Sequence, residues 1–335
     1  MRRIPARDTK FPKGNPNDPT TSHFIWARLH RLTVDLSIQR FRNNDLPAIC
    51  EIWNAHHAGD VVPALISTHG VQPDRMELFV QSKVYFDSAQ LLIAWMEDQP
   101  VGFIHLCRIP SDSPDTLTPD ELGIASLCVK PSGFQNAVAE ALLSAASSNG
   151  VSQGVQRLVM RPALPNCSFY MGIGPADSLA GILSTENRVC SWLSAAGYKP
   201  AVPPTVWELP LETFRVPGDR IQILVRRRSA VDRQLQEPAL PWWQSCVLGH
   251  TEVTAFHLFD RVEKRALQEI ILWGLSPDLS KGGQKIYWMW PPKMDYSPED
   301  APVEIAPIDR LVFLLAEALR DLQQEHVEVV RTVTH

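Results

Sequence analysis

At 335 residues the chain is more than twice a common domain length of about 150, so two compact units are the expectation. A content of 44% hydrophobic and 21% charged residues fits a globular chain and excludes a disordered one, and no segment is apolar for long enough to cross a bilayer. The net charge of −5, with no basic block larger than Arg226, Arg227 and Arg228, leaves no footprint for nucleic acid, so neither nucleic acid nor membrane is expected as a partner.

The start, residues 1–22, is rich in Pro, Asn, Asp, Lys and Thr without an apolar stretch; it reads as a disordered tail and not as a signal peptide, which points to a cytoplasmic protein. Leu36 to Phe41 alternates as a strand does, and Leu46 to His57 carries Leu46, Ile49, Ile52 and Trp53 at helical spacing. Leu91 to Trp95 and Val101 to Leu106 flank the polar stretch Glu97 to Pro100, which predicts a hairpin. Leu122 to Val129 is the next strand, stopped at Lys130-Pro131, and a helix from about Asn136 to Ser147 is closed by Asn149-Gly150. Arg157 to Arg161 reads as a strand, Glu186 to Ala196 as a helix ended by Gly197, and Thr205 to Leu209 as the strand completing a first unit.

Beyond Pro210 the order partly recurs. Arg220 to Arg227 reads as a strand, then come Trp242-Trp243, a hairpin of Val253 to Leu258 with Ala266 to Trp273, a helix at Ile308 to Gln323 and a strand at Val327 to Val333. Two echoes suggest duplication: Val101 to Leu106 against Val253 to Leu258, and Glu140 to Leu143 against Glu317 to Arg320. The units expected are 23–211 and 212–335.

The stretch Leu127-Cys128-Val129-Lys130-Pro131-Ser132-Gly133-Phe134-Gln135-Asn136-Ala137-Val138-Ala139-Glu140-Ala141-Leu142-Leu143 runs from a strand through a short loop into a helix. Free amides and the positive dipole end at such a helix start suit an anion such as a pyrophosphate, and Ala137 and Ala139 are small enough to let it approach.

This stretch resembles the GNAT superfamily of N-acetyltransferases, whose hallmark is a strand ending V-x-P, a loop [QR]-x-x-G-x-[GA] and a helix with a Leu-Leu pair. Val129, Pro131, Leu142 and Leu143 match the spacing, while Phe134 stands where Gln or Arg is usual and Ala137 where glycine is usual. Gln39 to Leu46, Pro100 to Phe103 and Phe169-Tyr170-Met171-Gly172-Ile173-Gly174 look like family features in family order, so the likeness covers roughly residues 36 to 209.

The resemblance implies an α/β (α+β) fold of two GNAT-like units in tandem, a layout similar to that of the mycothiol synthases, each a mixed, mostly antiparallel sheet flanked by helices. It implies acetyl-CoA as co-substrate, held by Leu127, Cys128, Val129 and the loop Phe134, Gln135, Asn136, Ala137, Val138 and Ala139. It further implies direct acyl transfer to an amine on a small molecule or peptide, with Tyr170 as general acid and Glu121 as base.

A non-catalytic scaffold or ligand sensor on the same fold is the alternative. The second unit offers acidic Asp295 to Pro302 at its loop, which would repel a pyrophosphate.

Other features read blandly. The six cysteines lack paired spacing and read as reduced, packed thiols, Cys128 among them because no histidine is near it in sequence. His56-His57 point about 100° apart on a helix, so no metal is expected. The tryptophans of the second half read as core, and Gly282-Gly283 as no phosphate loop, since strand-like Tyr287 to Trp290 follows.

Overall fold

The computed structural model describes residues 35–58, 70–111, 116–160, 169–170, 181–182, 186–200, 205–218, 220–234, 242–249, 251–274, 285–290 and 305–334. The expected tail 1–22, Cys167, the loop 295–302 and Gly282-Gly283 lie outside them.

Strand β1 (Leu36–Arg40) leads into helix α1 (Leu46–His57), which buries Ile49, Ile52 and Trp53 as the periodicity requires. A short helix α2 (Pro73–Met76) runs on into one π-helical turn, Glu77–Gln81, which plants Met76, Phe79 and Val80 in the core. Strands β2 (Leu91–Met96) and β3 (Gln99–Pro110) form the expected hairpin. Glu97 and Asp98, at φ 48° and 65°, make its two-residue turn, whose left-handed backbone matches the twist of the strands. Strand β4 (Leu117–Val129), helix α3 (Gln135–Ser152), strand β5 (Arg157–Met160) and helix α4 (Asn187–Ala195) follow.

Helix α3 passes through Asn149-Gly150, which sequence reading had as its stop. Gly150 is there for packing, because an added Cβ would lie 3.3 Å from Leu158 of β5; the left-handed residue after the helix is Gly154.

Sheet one has the order β1-β2-β3-β4-β5, antiparallel except for the parallel pair β4/β5 bridged by α3. One face packs on α1, α2 and the aromatics Phe41, Trp53, Phe79, Phe103, Phe169 and Tyr170. The other packs on α3 and α4 through Val138, Leu142, Leu143, Val189 and Trp192.

The second sheet contains β6 (Thr205–Pro210), β7 (Ser229–Gln234), β8 (Glu252–Asp260), β9 (Ala266–Gly274), β10 (Ile286–Met289) and β11 (Val329–Thr334), in the order β6-β11-β10-β9-β8-β7. The helices are α5 (Arg220–Arg228), α6 (Trp242–Leu248) and α7 (Pro307–Gln324). From β7 to β11 the order and senses repeat those of β1 to β5, with α7 bridging the parallel pair β10/β11. Duplication is therefore visible in the topology, and the fold is two mixed α/β sheets flanked by helices.

Three expectations change. Arg220 to Arg227 is a helix and not a strand: Gln222 and Val225, three apart, are buried, while Ile221 and Ile223 are exposed. Strand β6, read as closing the first unit, pairs antiparallel with β11 in the second sheet. The echo of Val101 to Leu106 in Val253 to Leu258 sets β3 against β8, whereas order along the sheets sets β3 against β9; period-two apolar runs recur in every buried strand and carry no register. The helical echo holds, since Glu140 and Glu317 lie on the corresponding helices α3 and α7.

The two units touch. Lys83 is buried and its Nζ donates to the carbonyls of Cys246 (3.0 Å) and Val247 (2.9 Å) at the end of α6, while Tyr85 stacks on Trp243 at 4.5 Å. Trp243, Trp273 and Trp288 are all core residues, the last two stacked 6.0 Å apart at 10°. No helix among the described residues is long and apolar enough to cross a membrane.

Candidate active site

Strands β4 and β5 pair from Glu121↔Arg157 to Ile124↔Met160, where the described part of β5 ends, and β4 runs five residues further, to Val129. Lys130 N–H donates to Val101 O at 2.9 Å, so by the alternation of an antiparallel ladder the amides of Cys128 and Lys130 face β3 and those of Leu127 and Val129 face away from it. Of the three strand amides expected to meet a ligand, Cys128's is therefore in the ladder. Val129's is engaged as well: its nitrogen lies 3.3 Å, and its carbonyl oxygen 3.1 Å, from His56 Nδ1. Arg188 of α4 donates to His56 O (2.8 Å) and lies 3.1 Å from the same Nδ1.

The loop after Val129 delivers the start of α3. Phe134 is the N-cap residue and provides no side-chain cap; its N–H goes to Ser132 Oγ at 3.2 Å and that of Gln135 to Ser132 O at 3.3 Å. The next two amides, of Asn136 and Ala137, are the orphans of a helix N-terminus. Ala137 has no positive φ, so the missing glycine causes no backbone strain. Phe134, Asn136 and Ala137 are exposed, whereas Val138 and Ala139 are fully buried and hold the helix to the sheet. Trp192 Nε1 donates to Asn136 Oδ1 at 2.8 Å, which fixes that side chain.

On the other face of β4, beneath α1, lies a group that sequence reading did not assemble. Cys128 Sγ is 3.8 Å from His57 Nε2 and 3.3 Å from Ser126 Oγ. His56, His57 and Cys128, all buried, bring one donor atom each to within 4.8 Å of one another. The two rings are 4.7 Å apart although the residues are adjacent on the helix, and the fold sets beside Cys128 a histidine that is 71 residues away in sequence.

Tyr170 lies close by, stacked on Trp53 (4.9 Å, 10°) with φ 65°. Its hydroxyl is 3.0 Å from His105 Nδ1, and both side chains are fully buried. Burial first, and then the neighbouring thiols Cys128, Cys107 and Cys50, push the Tyr170 hydroxyl well above its ordinary range, so it stays protonated. Burial pushes the His105 imidazole down to about 3, so that ring is neutral.

Glu121 is placed elsewhere. It sits where β4 pairs with β5, in an ion pair with Arg157, roughly 26 Å of extended strand from Val129.

No protein-family profile and no curated protein sequence matches the chain. Solved structures do match. A GCN5-related glucosamine N-acetyltransferase region of a fungal multi-domain β-N-acetylglucosaminidase aligns over 90% of this chain and 35% of that one, with TM-score 0.62 and 16% identity. This chain thus spans about a third of that protein. A tandem GNAT protein from the clavulanic acid biosynthesis pathway aligns over 90% of both chains with TM-score 0.53 and 12% identity. A GCN5-related N-acetyltransferase from Anabaena variabilis aligns over 89% of this chain and 66% of that one, with TM-score 0.51 and 10% identity. The chain has the GNAT fold in its tandem form.

Proposed function

From this fold we propose that the chain is an acyltransferase, moving an acetyl or related acyl group from acyl-CoA directly to an amine on a small molecule or peptide. One observation carries the reading: β4 turns the Leu127 amide away from β3 and then leads through a short loop into a helix start without a side-chain cap. The Leu127 amide would meet a pantetheine arm, and the Asn136 and Ala137 amides offer a pyrophosphate two donors at the positive end of α3. Gln135 and Asn136 add side-chain donors. The names of the structural neighbours, all N-acetyltransferases or GNAT proteins, support the same reaction class.

In the transfer, the acceptor nitrogen bonds to the acyl carbon and gives up a proton to water, the carbon–sulfur bond breaks and the departing thiolate takes a proton. Tyr170 is the proposed donor of that proton, with His105 against its hydroxyl as the positioning residue. Glu121, bound to Arg157 at the far end of β4, has no part in this proposal.

The test is calorimetric titration of acetyl-CoA into the full chain and into Ala137→Asp, which sets a carboxylate at the proposed pyrophosphate site. Micromolar binding abolished by the substitution supports the transferase. No heat with either protein favours a scaffold or ligand sensor, a reading motivated by His56, itself held by Arg188, standing at the Val129 amide.

A further inference from the structure

We propose that His56, His57 and Cys128 form a site for a thiophilic divalent cation, of which Zn²⁺ is the natural candidate, between α1 and β4. Two imidazoles and a thiol are the donor set that Zn²⁺ prefers over Mg²⁺ or Ca²⁺, which take oxygen. All three side chains are buried and converge, with every donor separation within 4.8 Å and His57 Nε2 at 3.8 Å from Cys128 Sγ. A tetrahedral ion with bonds of about 2.0–2.3 Å holds its donors roughly 3.3–3.8 Å apart, so the group closes by about 1.5 Å at most, within reach of side-chain rotation.

The surroundings are those of an oriented ligand. The Val129 backbone contacts His56 Nδ1, an outer contact that would orient the ring for ligation through Nε2. Arg188 keeps its bond to His56 O in either tautomer of that ring. On binding, the Cys128 thiol loses its proton to solvent and the thiolate offsets one of the two positive charges. The half-buried Arg188 guanidinium is the opposing charge the site tolerates. Three protein donors leave a fourth position for a water or another ligand, the arrangement of an open zinc site. This inference does not rest on the acyl-transfer reading.

The experiment is a Co²⁺ titration of the reduced, chelator-treated full chain, followed by displacement with Zn²⁺. One equivalent is expected to bind with a thiolate-to-cobalt charge-transfer band in the near ultraviolet. That band is lost in Cys128→Ser, and His57→Gln weakens binding at least about tenfold. Cys50→Ser, which removes a buried thiol from the same helix, leaves the band intact.

Should Cys128→Ser not fold, the unmodified protein answers alone: bound Zn²⁺ protects Cys128 from alkylation, read by peptide mass mapping. Absence of the band from the native chain, its persistence in Cys128→Ser, or alkylation of Cys128 at the same rate with and without Zn²⁺ overturns the proposal.

Discussion

The two units repeat one topology and differ in their fourth strands. In the first, β4 is thirteen residues long and turns the Leu127 and Val129 amides away from β3 just before a helix start without a side-chain cap. In the second, β10 is four residues long and pairs with β11 along three of them, Thr332 Oγ1 donates to Met289 O at 3.3 Å, and β6 covers the far edge of β11 from Thr205 to Pro210. The same plan thus carries a long fourth strand in one unit and a short one in the other, and the second unit has three buried tryptophans behind it.

The largest effect should come from breaking the second unit. Trp288→Ala removes a fully buried indole stacked on Trp273, and a loss of about 3–5 kcal/mol is expected in urea unfolding. If acetyl-CoA binding survives in the residual folded fraction, the first unit works independently of the second; if binding is lost in step, the two are one cooperative block.

The first unit should fail first in acid. His105 is held near 3 when folded and titrates near 6.5 when unfolded, so between those values the unfolded state binds more protons. Stability is therefore full above about 6.5 and falls as pH drops toward 3, by roughly 3 kcal/mol at pH 4.5. His105→Gln flattens this slope in denaturant midpoints measured from pH 7 to pH 4.5; an unchanged slope means other groups set the acid limit.

The link between the halves follows. Burial holds Lys83 down at about 8 against an ordinary 10.5, so stability rises with pH from about 8 to 10.5 as the folded form sheds its proton first. Lys83→Met, which also removes two bonds to α6 carbonyls, should cost about 1–3 kcal/mol and abolish that rise. Similar in size is Gly102→Ala, whose methyl would meet Val138 at 2.9 Å and Cys128 O at 3.1 Å. It should cost about 1–3 kcal/mol and push α3 off β3, weakening acetyl-CoA binding with it.

The fold was largely legible because strong periodicity is local: α1, α3, α7 and both hairpins stand where their apolar spacing put them. What escaped was either polar or distant. Ser229 to Gln234 is an edge strand with little apolar pattern, and the Ile-Gln-Ile alternation in Arg220 to Arg228 mimicked a strand inside a helix. Strand β6 was readable as a strand but not as a partner of β11, more than a hundred residues away. At the site, the loop and helix start were legible from Val129 to Ala139. Cys128 meeting His57 and Tyr170 meeting His105 join residues 71 and 65 apart, and only the folded chain brings those pairs together.

The smallest change tests the helix start most finely. Ser132 Oγ accepts the Phe134 N–H at 3.2 Å on an exposed loop, so Ser132→Ala should cost less than about 1 kcal/mol of stability. It also frees one more amide at the start of α3, beside those of Asn136 and Ala137, and an anion there gains a donor. Acetyl-CoA affinity should rise several-fold in calorimetry while the second unit's unfolding is untouched. A fall in affinity with stability preserved would instead make the Ser132 hydroxyl a ligand donor in its own right, and would shift the proposed pyrophosphate site from the helix axis toward the loop.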